Sequence, residues 1–393
     1  MLANRRQILI GGARLAALAP FYSLASAGGG STRGDRVLVV LQLTGGNDGL
    51  NTVVPHRQDE YFLLRPSLSL ARGSLHAIDD EHGLHPELRG IAELFNEGDV
   101  AVVHGVGYPN PDRSHFRSME IWHTADLDPT PDSTGWMGRL ADGVARRAPG
   151  EMAALHIGDE GLPLALAGED YFTPTVRDAD GFRLAGGVAS LPGVRTRLLE
   201  GPAKGDVAFL RDAARSTYRA AARMEAMTAA RTAIDYPGTE LGRRLRLVAR
   251  LIAGSFGTRV FHVALDGFDT HAKQRLVHAE LLSTVSDALS AFQRDLDATG
   301  AADRVATLVF SEFGRRAREN GSAGTDHGAG APLFVVGRGV RGGVYGTPPD
   351  LRRLEEGDVP ATTDFRSVYA ALERDWMDLA ASSAAHDPLP LIG

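Results

Sequence analysis

The segment Val37–Thr52, VLVVLQLTGGNDGLNT, decides the fold expected for this chain, because it joins an unbroken apolar run to a glycine-rich turn. The run Val37–Leu43 is typical of a strand that is buried on both faces of a sheet. Similar apolar runs occur later in the chain at Val100–Val106, Val260–Leu265, Arg304–Phe310 and Leu333–Val336. Five buried strands are therefore predicted from these runs.

Segments with helical spacing lie between the later runs, at Ala213–Ile234, Thr239–Ile252 and Gln274–Leu296. Buried strands that alternate with helices predict an α/β fold, an α/β/α sandwich around a mainly parallel central sheet. We predict a single domain over residues 37–393. It would carry a cap insertion near 160–210, where the chain is irregular and contains Gly and Pro.

The first 27 residues have the layout of an export signal. Arg5 and Arg6 precede a short apolar stretch, which Arg14 interrupts and which ends in the small residues Ala25–Ala27. Paired arginines favour the twin-arginine pathway, and the stretch is too short and too polar for a membrane span. We predict a signal over 1–27, a linker over 28–36, the translocase as a partner, and a periplasmic or extracellular mature protein without a membrane span. The alternative is an N-terminal tail with a chance arginine pair.

The composition excludes several classes of function. The chain of 393 residues contains no cysteine, so disulfides, thiolate metal sites and a cysteine nucleophile are excluded. A net charge of −7 and the lack of a basic patch argue against a nucleic-acid binder. Any metal must therefore be held by His, Asp, Glu or other oxygen ligands.

Polar side chains of the kind that binds metals follow the predicted strands, at the edge where sites form in open α/β sheets. The candidate ligands are Asp48, Asp269, His271, Asp326 and His327, and the candidate catalytic residues are Arg113, Ser114, His115 and Arg315. Structural roles are the alternatives: Asp48 as a turn residue, Asp269 as the N-cap of a helix beginning near Ala272, and Ser114 as a helix N-cap.

Carboxylate and imidazole together suit a divalent cation. Histidine favours Zn²⁺ or Mn²⁺, while Mg²⁺ and Ca²⁺ stay open as alternatives. A serine near the metal can serve as nucleophile, and Ser114 is the best candidate because Arg113 and His115 flank it. An arginine can hold a tetrahedral oxyanion with two parallel hydrogen bonds, a role for Arg113 or Arg315.

The ordered motifs resemble a known family. LQLTGGNDGLNTVVP, GLHPEL, VAVVHGVGYPNPDRSHF, LDGFDTH, SEFGRR and GTDHGAGAPLFVVG occur in that order in exported bacterial proteins called domain of unknown function 1501. The match extends over nearly the whole mature chain. That family is similar to the alkaline phosphatase and sulfatase superfamily, which implies an α/β/α sandwich with a metal site at the strand ends.

The resemblance also implies roles for particular residues. Asp48 matches the first-strand metal aspartate, Ser114 loosely matches the nucleophile, and Asp269 with His271 matches an Asp/His ligand set. Asp326-His327 matches the later Asp-His pair, which implies that this pair holds a metal. Phosphatases of the superfamily usually have a further ligand histidine downstream, where this chain has only His386.

These patterns predict an exported, metal-dependent hydrolase of phosphate or sulfate esters, acting on a small molecule or on an envelope polymer. A non-catalytic periplasmic protein that binds or assembles an envelope polymer is the alternative. A transferase or mutase acting on an envelope glycan is a third hypothesis.

Overall fold

The computed structural model describes residues 33–177, 234–380 and 385–393, with a few isolated positions between 205 and 215. Several sequence predictions lie outside the described residues: the export signal over 1–27, most of the linker over 28–36, nearly all of the helix over 213–234, and much of the insertion near 160–210.

Strands form where the apolar runs predict them, and shorter strands add to the sheets. In chain order the strands are β1 (Val37–Leu43), β2 (Val53–Val54), β3 (His76–Ala77), β4 (Gly83–Leu84), β5 (Val100–Gly107), β6 (Ala154–Ile157), β7 (Thr175–Val176), β8 (Val260–Leu265), β9 (Val305–Phe310), β10 (Ala331–Val336), β11 (Gly343–Tyr345) and β12 (Thr363–Asp364). The five predicted strands are confirmed as β1, β5, β8, β9 and β10.

The main sheet has the order β11-β5-β10-β9-β1-β8-β6-β7, and β12 pairs with β5. Most pairs are parallel, including β1 with β8 and with β9. Strand β10 is the exception, because it is antiparallel to both β5 and β9. The carboxyl ends of β1, β5, β8 and β9 therefore lie at one edge of the sheet, and β10 starts from that same edge. Strands β2, β4 and β3 form a small separate antiparallel sheet.

Helices cover both faces of the main sheet. In chain order the described α-helices are α1 (Gly49–Thr52), α2 (Asp59–Leu64), α3 (Arg89–Glu97), α4 (His115–Thr124), α5 (Trp136–Arg147), α6 (Glu240–Ala253), α7 (Gln274–Ala298) and α8 (Phe365–Ala370). The helices predicted over 239–252 and 274–296 are confirmed as α6 and α7. Among the described residues, no helix is long and apolar enough to span a membrane.

The side chains of β1 show how the central strand is buried on both faces. Val37, Val39 and Leu41 point into one apolar core, which α3, α6 and α7 cover. Leu38 and Val40 point into a second core, which α4, α5 and α8 cover. Because successive side chains of a strand point to opposite faces, a continuous apolar run is needed to fill both cores. The predicted α/β/α sandwich is confirmed.

Six histidines are buried in this fold in surroundings that disfavour the charged imidazolium. Burial lowers the pKa of His104, His123, His156 and His278 to about 4 and that of His85 to about 3, and it lowers the pKa of His262 well below its usual value. These side chains stay neutral in the folded protein under conditions in which an unfolded chain would protonate them.

We expect the folded state to lose stability as the pH falls below about 6.5, the usual pKa of histidine in an unfolded chain. The lowered pKa values mean that the unfolded chain takes up protons there and the folded protein does not. Between pH 6.5 and 5.5 the loss should be about 1 kcal/mol for each buried histidine. Urea unfolding at pH 7.5, 6.5 and 5.5, with a chelator present throughout, measures it. A free energy of unfolding that stays constant over this range would contradict the prediction.

Candidate metal centre

Loops from four strands meet at the carboxyl edge of the main sheet. The loops after β1, β5 and β8 begin at this edge. The long loop between β9 and β10 begins and ends there. Gly45 in the first loop has a φ of +118°, and a Cβ at this position would collide with the backbone nitrogen of Asp269. Glycine is therefore required for the β1 and β8 loops to approach so closely.

Three side chains converge at this edge. Within the described part of the chain, His115, Asp269 and His327 form a group whose ligand atoms all lie within 4.8 Å of one another. The Oδ1 atom of Asp269 is 3.1 Å from Nε2 of His327 and 3.6 Å from Nε2 of His115. His271 adjoins two members, since its Nε2 is 3.0 Å from Oδ1 of Asp269 and 2.8 Å from Nε2 of His327.

The other ring nitrogen of each histidine faces an oxygen that can only accept a hydrogen bond. Nδ1 of His327 lies 2.8 Å from the carbonyl oxygen of Arg113. Nδ1 of His115 lies 2.8 Å from Oε1 of Glu312, and Nδ1 of His271 lies 3.4 Å from Oδ1 of Asp326. We therefore assign the ring proton to Nδ1 in each case, which leaves the Nε2 lone pairs turned toward Asp269.

This arrangement brings lone pairs together unless a positive charge lies among them. The group consists of three neutral Nε2 atoms and one carboxylate oxygen, and neighbouring atoms in it lie 2.8 to 3.6 Å apart. Nitrogen and oxygen ligands of a tetrahedral Zn²⁺ at roughly 2.0–2.1 Å would lie about 3.3 Å apart. The donor set and its spacing therefore fit a divalent metal ion, and a protonated imidazole is the metal-free alternative.

Charges around the group keep Asp269 ionised. Partial burial acts to raise the pKa of Asp269, but the hydrogen bond and the positive charge of Arg315 outweigh it and lower that pKa to about 2. The hydrogen bond to Glu312 raises the pKa of His115 above its usual value. Without a metal, the guanidinium of Arg315 supplies a positive charge beside Asp269, and the raised pKa of His115 favours its protonated form.

Asp326, predicted as a ligand, lies beside His271 and orients its ring. Its carboxylate is half exposed and also accepts a hydrogen bond of 3.0 Å from Asn320. That bond lowers the pKa of Asp326. A carboxylate that holds the second nitrogen of a ligand histidine is a common arrangement around bound metals.

Asp48, also predicted as a ligand, is fully buried and lies apart from this group. Its Oδ2 atom is 2.5 Å from Nη1 of Arg65, which is equally buried, and it also accepts a hydrogen bond from Gln274. Burial acts to raise the pKa of Asp48, but Arg65 outweighs this and the pKa lies below its usual value. In this structure the cation beside Asp48 is a guanidinium of the same chain.

The two arginines predicted as oxyanion clamps have different surroundings. Arg315 is buried and donates to Asp269 at 2.7 Å and to several backbone carbonyl oxygens. All three of its side-chain nitrogens donate within the protein, and Nη1 also lies 3.5 Å from Nε2 of His271. Arg113 is partly exposed, and its Nε and Nη2 atoms donate to Asp358 at 2.9 and 2.6 Å. Its Nη1 atom makes no hydrogen bond within the described residues.

Ser114 occupies the N-cap position of α4, directly before His115. Its hydroxyl does not cap the helix, and its backbone N–H donates to Asp112 at 2.7 Å. The side chain is exposed. The structure thus places the predicted nucleophile next in sequence to one of the converging histidines, at the positive end of a ten-residue helix.

Glu312 is a residue to which sequence reasoning assigned no role. It is fully buried, and its Oε1 atom accepts hydrogen bonds from Nδ1 of His115 and, at 2.9 Å, from the backbone nitrogen of Gly45. A carboxylate that directly follows a buried strand in SEFGRR was the signal that could have identified it. Its contact with His115, 197 residues earlier in the chain, could not be read from the sequence.

One family of proteins matches the chain over most of its length. Its description is protein of unknown function (DUF1501), and it matches residues 35–385. The chain belongs to this family. The resemblance noted in the sequence is thereby confirmed. No curated protein matches the chain.

Distantly similar solved structures are found as well. A protein in the alkaline phosphatase superfamily from Vibrio parahaemolyticus is 11% identical over 90% of this chain and 69% of that chain, with a TM-score of 0.41. The PsFucS1 sulfatase from Pseudoalteromonas sp. is 12% identical over 90% and 70%, with a TM-score of 0.39. The C-terminal periplasmic domain of EcEptC from Escherichia coli, in complex with Zn, is 9% identical over 77% and 73%, with a TM-score of 0.33. Likeness at this level does not decide the chemistry of this chain.

Replacement of Glu312 should change metal affinity in a way that depends on the substitute. Glu312→Ala removes the acceptor for Nδ1 of His115, and we expect it to weaken Zn²⁺ binding about 10- to 100-fold. Glu312→Gln keeps an oxygen that can accept both hydrogen bonds, so its affinity should stay within a few-fold of the wild type. Competition titrations against a chromophoric chelator measure both. Equal affinities for the wild type and the alanine variant would exclude this role for Glu312.

Proposed function

We propose that this protein is an exported metal-dependent hydrolase of phosphate or sulfate esters. The observation that supports it best is the inward orientation of three imidazoles around one carboxylate, each with its second nitrogen anchored by an oxygen. A hydrogen-bond network that served only stability would not need to bring several acceptor atoms so close together. The proposed ligands are His115, Asp269, His271 and His327.

We propose a single Zn²⁺ or Mn²⁺ ion for this site. Three imidazoles and one carboxylate favour these ions over Mg²⁺ and Ca²⁺, which take mainly oxygen ligands. A second ion at Asp48 is disfavoured, because Arg65 already neutralises that buried carboxylate. Asp326 would support the site through His271 rather than bind the ion.

The chain's own residues suggest how an ester would be cleaved. The bound ion would supply a Lewis acid for the oxygens on which negative charge develops. The hydroxyl oxygen of Ser114 would form a bond to phosphorus or sulfur while the bond to the ester oxygen breaks, and the alcohol would leave with a proton. Attack by water on the resulting seryl ester would then release phosphate or sulfate and restore the serine.

Arg113 is the better candidate of the two arginines for holding the oxyanion. Its Nη1 atom has no hydrogen bond within the described residues, while all three side-chain nitrogens of Arg315 donate to other groups of the protein. Arg315 would instead hold Asp269 in place. The backbone of Arg113 lies at the site, because its carbonyl oxygen is 2.8 Å from Nδ1 of His327.

A non-catalytic role in binding or assembling an envelope polymer is the second candidate. The engagement of both predicted clamp arginines in ion pairs favours it, since neither guanidinium is wholly free for substrate. This non-catalytic role predicts that the protein is folded and exported, with or without bound metal, and that it hydrolyses no ester. Transfer to a glycan acceptor is distinguished from hydrolysis by product analysis with acceptor added.

Metal content and turnover should separate the ligands from the nucleophile. We expect about one transition metal per wild-type chain by elemental mass spectrometry, and hydrolysis of p-nitrophenyl phosphate or p-nitrophenyl sulfate. His327→Ala should lose both the metal and the activity, because it removes one of the converging nitrogens. Ser114→Ala should keep the metal and lose the activity by several orders of magnitude.

His76→Ala is the matched control, since His76 lies in the small sheet and its Nε2 atom is 2.9 Å from a backbone carbonyl oxygen, that of Pro86. It should keep both metal and turnover. A wild-type protein that is folded but contains no metal would contradict the proposed hydrolase function. A wild type with stoichiometric metal and no turnover on a broad ester panel would favour the binding protein.

Export by the twin-arginine translocase is part of the proposal. The double variant Arg5→Lys with Arg6→Lys should accumulate in the cytoplasm, because the paired arginines are the feature that this pathway reads. Cell fractionation followed by immunoblotting measures its location, with Arg14→Lys as the matched control. An unchanged location for the double variant would show that the twin-arginine assignment is wrong.

A further inference from the structure

The side chain of Gln274 joins two loops of the candidate metal centre. It is the first residue of α7 and is fully buried. Its Oε1 atom accepts a hydrogen bond of 2.6 Å from the hydroxyl of Thr325 and one of 3.1 Å from the hydroxyl of Thr270. One carbonyl oxygen therefore holds two hydroxyl groups that belong to different loops.

Both threonines lie next to residues of the centre. Thr270 stands between Asp269 and His271 in the loop after β8, and Thr325 directly precedes Asp326-His327 in the loop before β10. A backbone hydrogen bond of 3.2 Å from the nitrogen of Thr325 to the carbonyl oxygen of Thr270 reinforces the link. A displacement of Gln274 would move these two loops relative to each other.

Asp48 determines which way the carboxamide of Gln274 points. Nε2 of Gln274 donates to Oδ2 of Asp48, so the oxygen of the amide must face the two threonines. Arg65 keeps Asp48 ionised and thus an acceptor. A carboxylate in place of this amide would face Asp48 with a like charge and without a donor. The requirement for one donor and one acceptor end explains why glutamine suits this position.

We propose that Gln274 is a positioning residue that sets the spacing of the metal ligands, and that Asp48 and Arg65 orient it. This inference rests on the proposed metal site. It assigns Asp48 a task at the centre without making it a ligand: the ion pair with Arg65 fixes Gln274, and Gln274 fixes the loops that carry Asp269, His271 and His327.

The test replaces Gln274 by methionine, which has a similar volume and neither donates nor accepts a strong hydrogen bond. We expect Gln274→Met to weaken Zn²⁺ affinity about 10- to 100-fold. It should also change the positions and intensities of the visible absorption bands of the Co²⁺-substituted protein, because these report the ligand geometry. Thr325→Val is a milder second variant that removes one hydroxyl and should weaken Zn²⁺ binding in the same direction.

Gln293→Met is the matched control, because Gln293 is also buried on α7 and its Nε2 atom has no hydrogen-bond partner among the residues that the structure describes. Urea unfolding of the metal-free proteins measures the effect of each change on stability alone. If the Gln274→Met and Thr325→Val proteins are less stable but bind Zn²⁺ and Co²⁺ like the wild type, Gln274 has only a structural role and the inference is wrong. A wild type that binds neither ion would overturn both this inference and the proposed function.

Discussion

The candidate centre depends on the hydrogen bonds that the buried guanidinium of Arg315 donates. Its N–H groups donate to atoms of three loops that are far apart in the chain. These groups are the carbonyl oxygens of Gly45, Gly46, Phe268 and Thr325 and the carboxylate of Asp269. An arginine can be buried only if its donors and its charge are satisfied. Because Arg315 needs all these partners, it fixes the loops relative to one another and holds Asp269 at the point where the imidazoles meet.

Arg315 also explains how an unfavourable cluster of acceptors is kept in place. The lone pairs around Asp269 repel one another unless a cation or a proton lies between them, and Arg315 places its positive charge beside the carboxylate. The anchors are buried or half-buried groups on the outer side of each ring: Glu312 behind His115, the carbonyl oxygen of Arg113 behind His327, and Asp326 behind His271. Such support is what a preformed ion site requires.

Asp48 and Asp269 are residues of the same type at one edge of the sheet, but their surroundings differ. Each follows a buried strand and each lies in a loop that contains glycine. Asp269 is about half exposed and faces imidazoles, whereas Asp48 is sealed against Arg65. The guanidinium occupies the position beside Asp48 at which the sequence predicted a metal ion. One carboxylate thus meets imidazoles at the sheet edge, and the other is paired with a buried arginine.

The sequence by itself determined the five long strands, two of the helices, the fold class, and the residue types at the carboxyl edge of the sheet. Apolar runs and helical spacing are local patterns, and the parallel sheet brings the strand ends to one edge whatever the loops contain. His271, Asp269 and His327 were therefore predictable as neighbours. Tertiary structure decided that Arg65 pairs with Asp48, that Glu312 anchors His115, and that all three side-chain nitrogens of Arg315 donate within the protein. Those choices depend on contacts between residues 17 to 270 positions apart and on the direction in which each side chain points, and no local pattern encodes either.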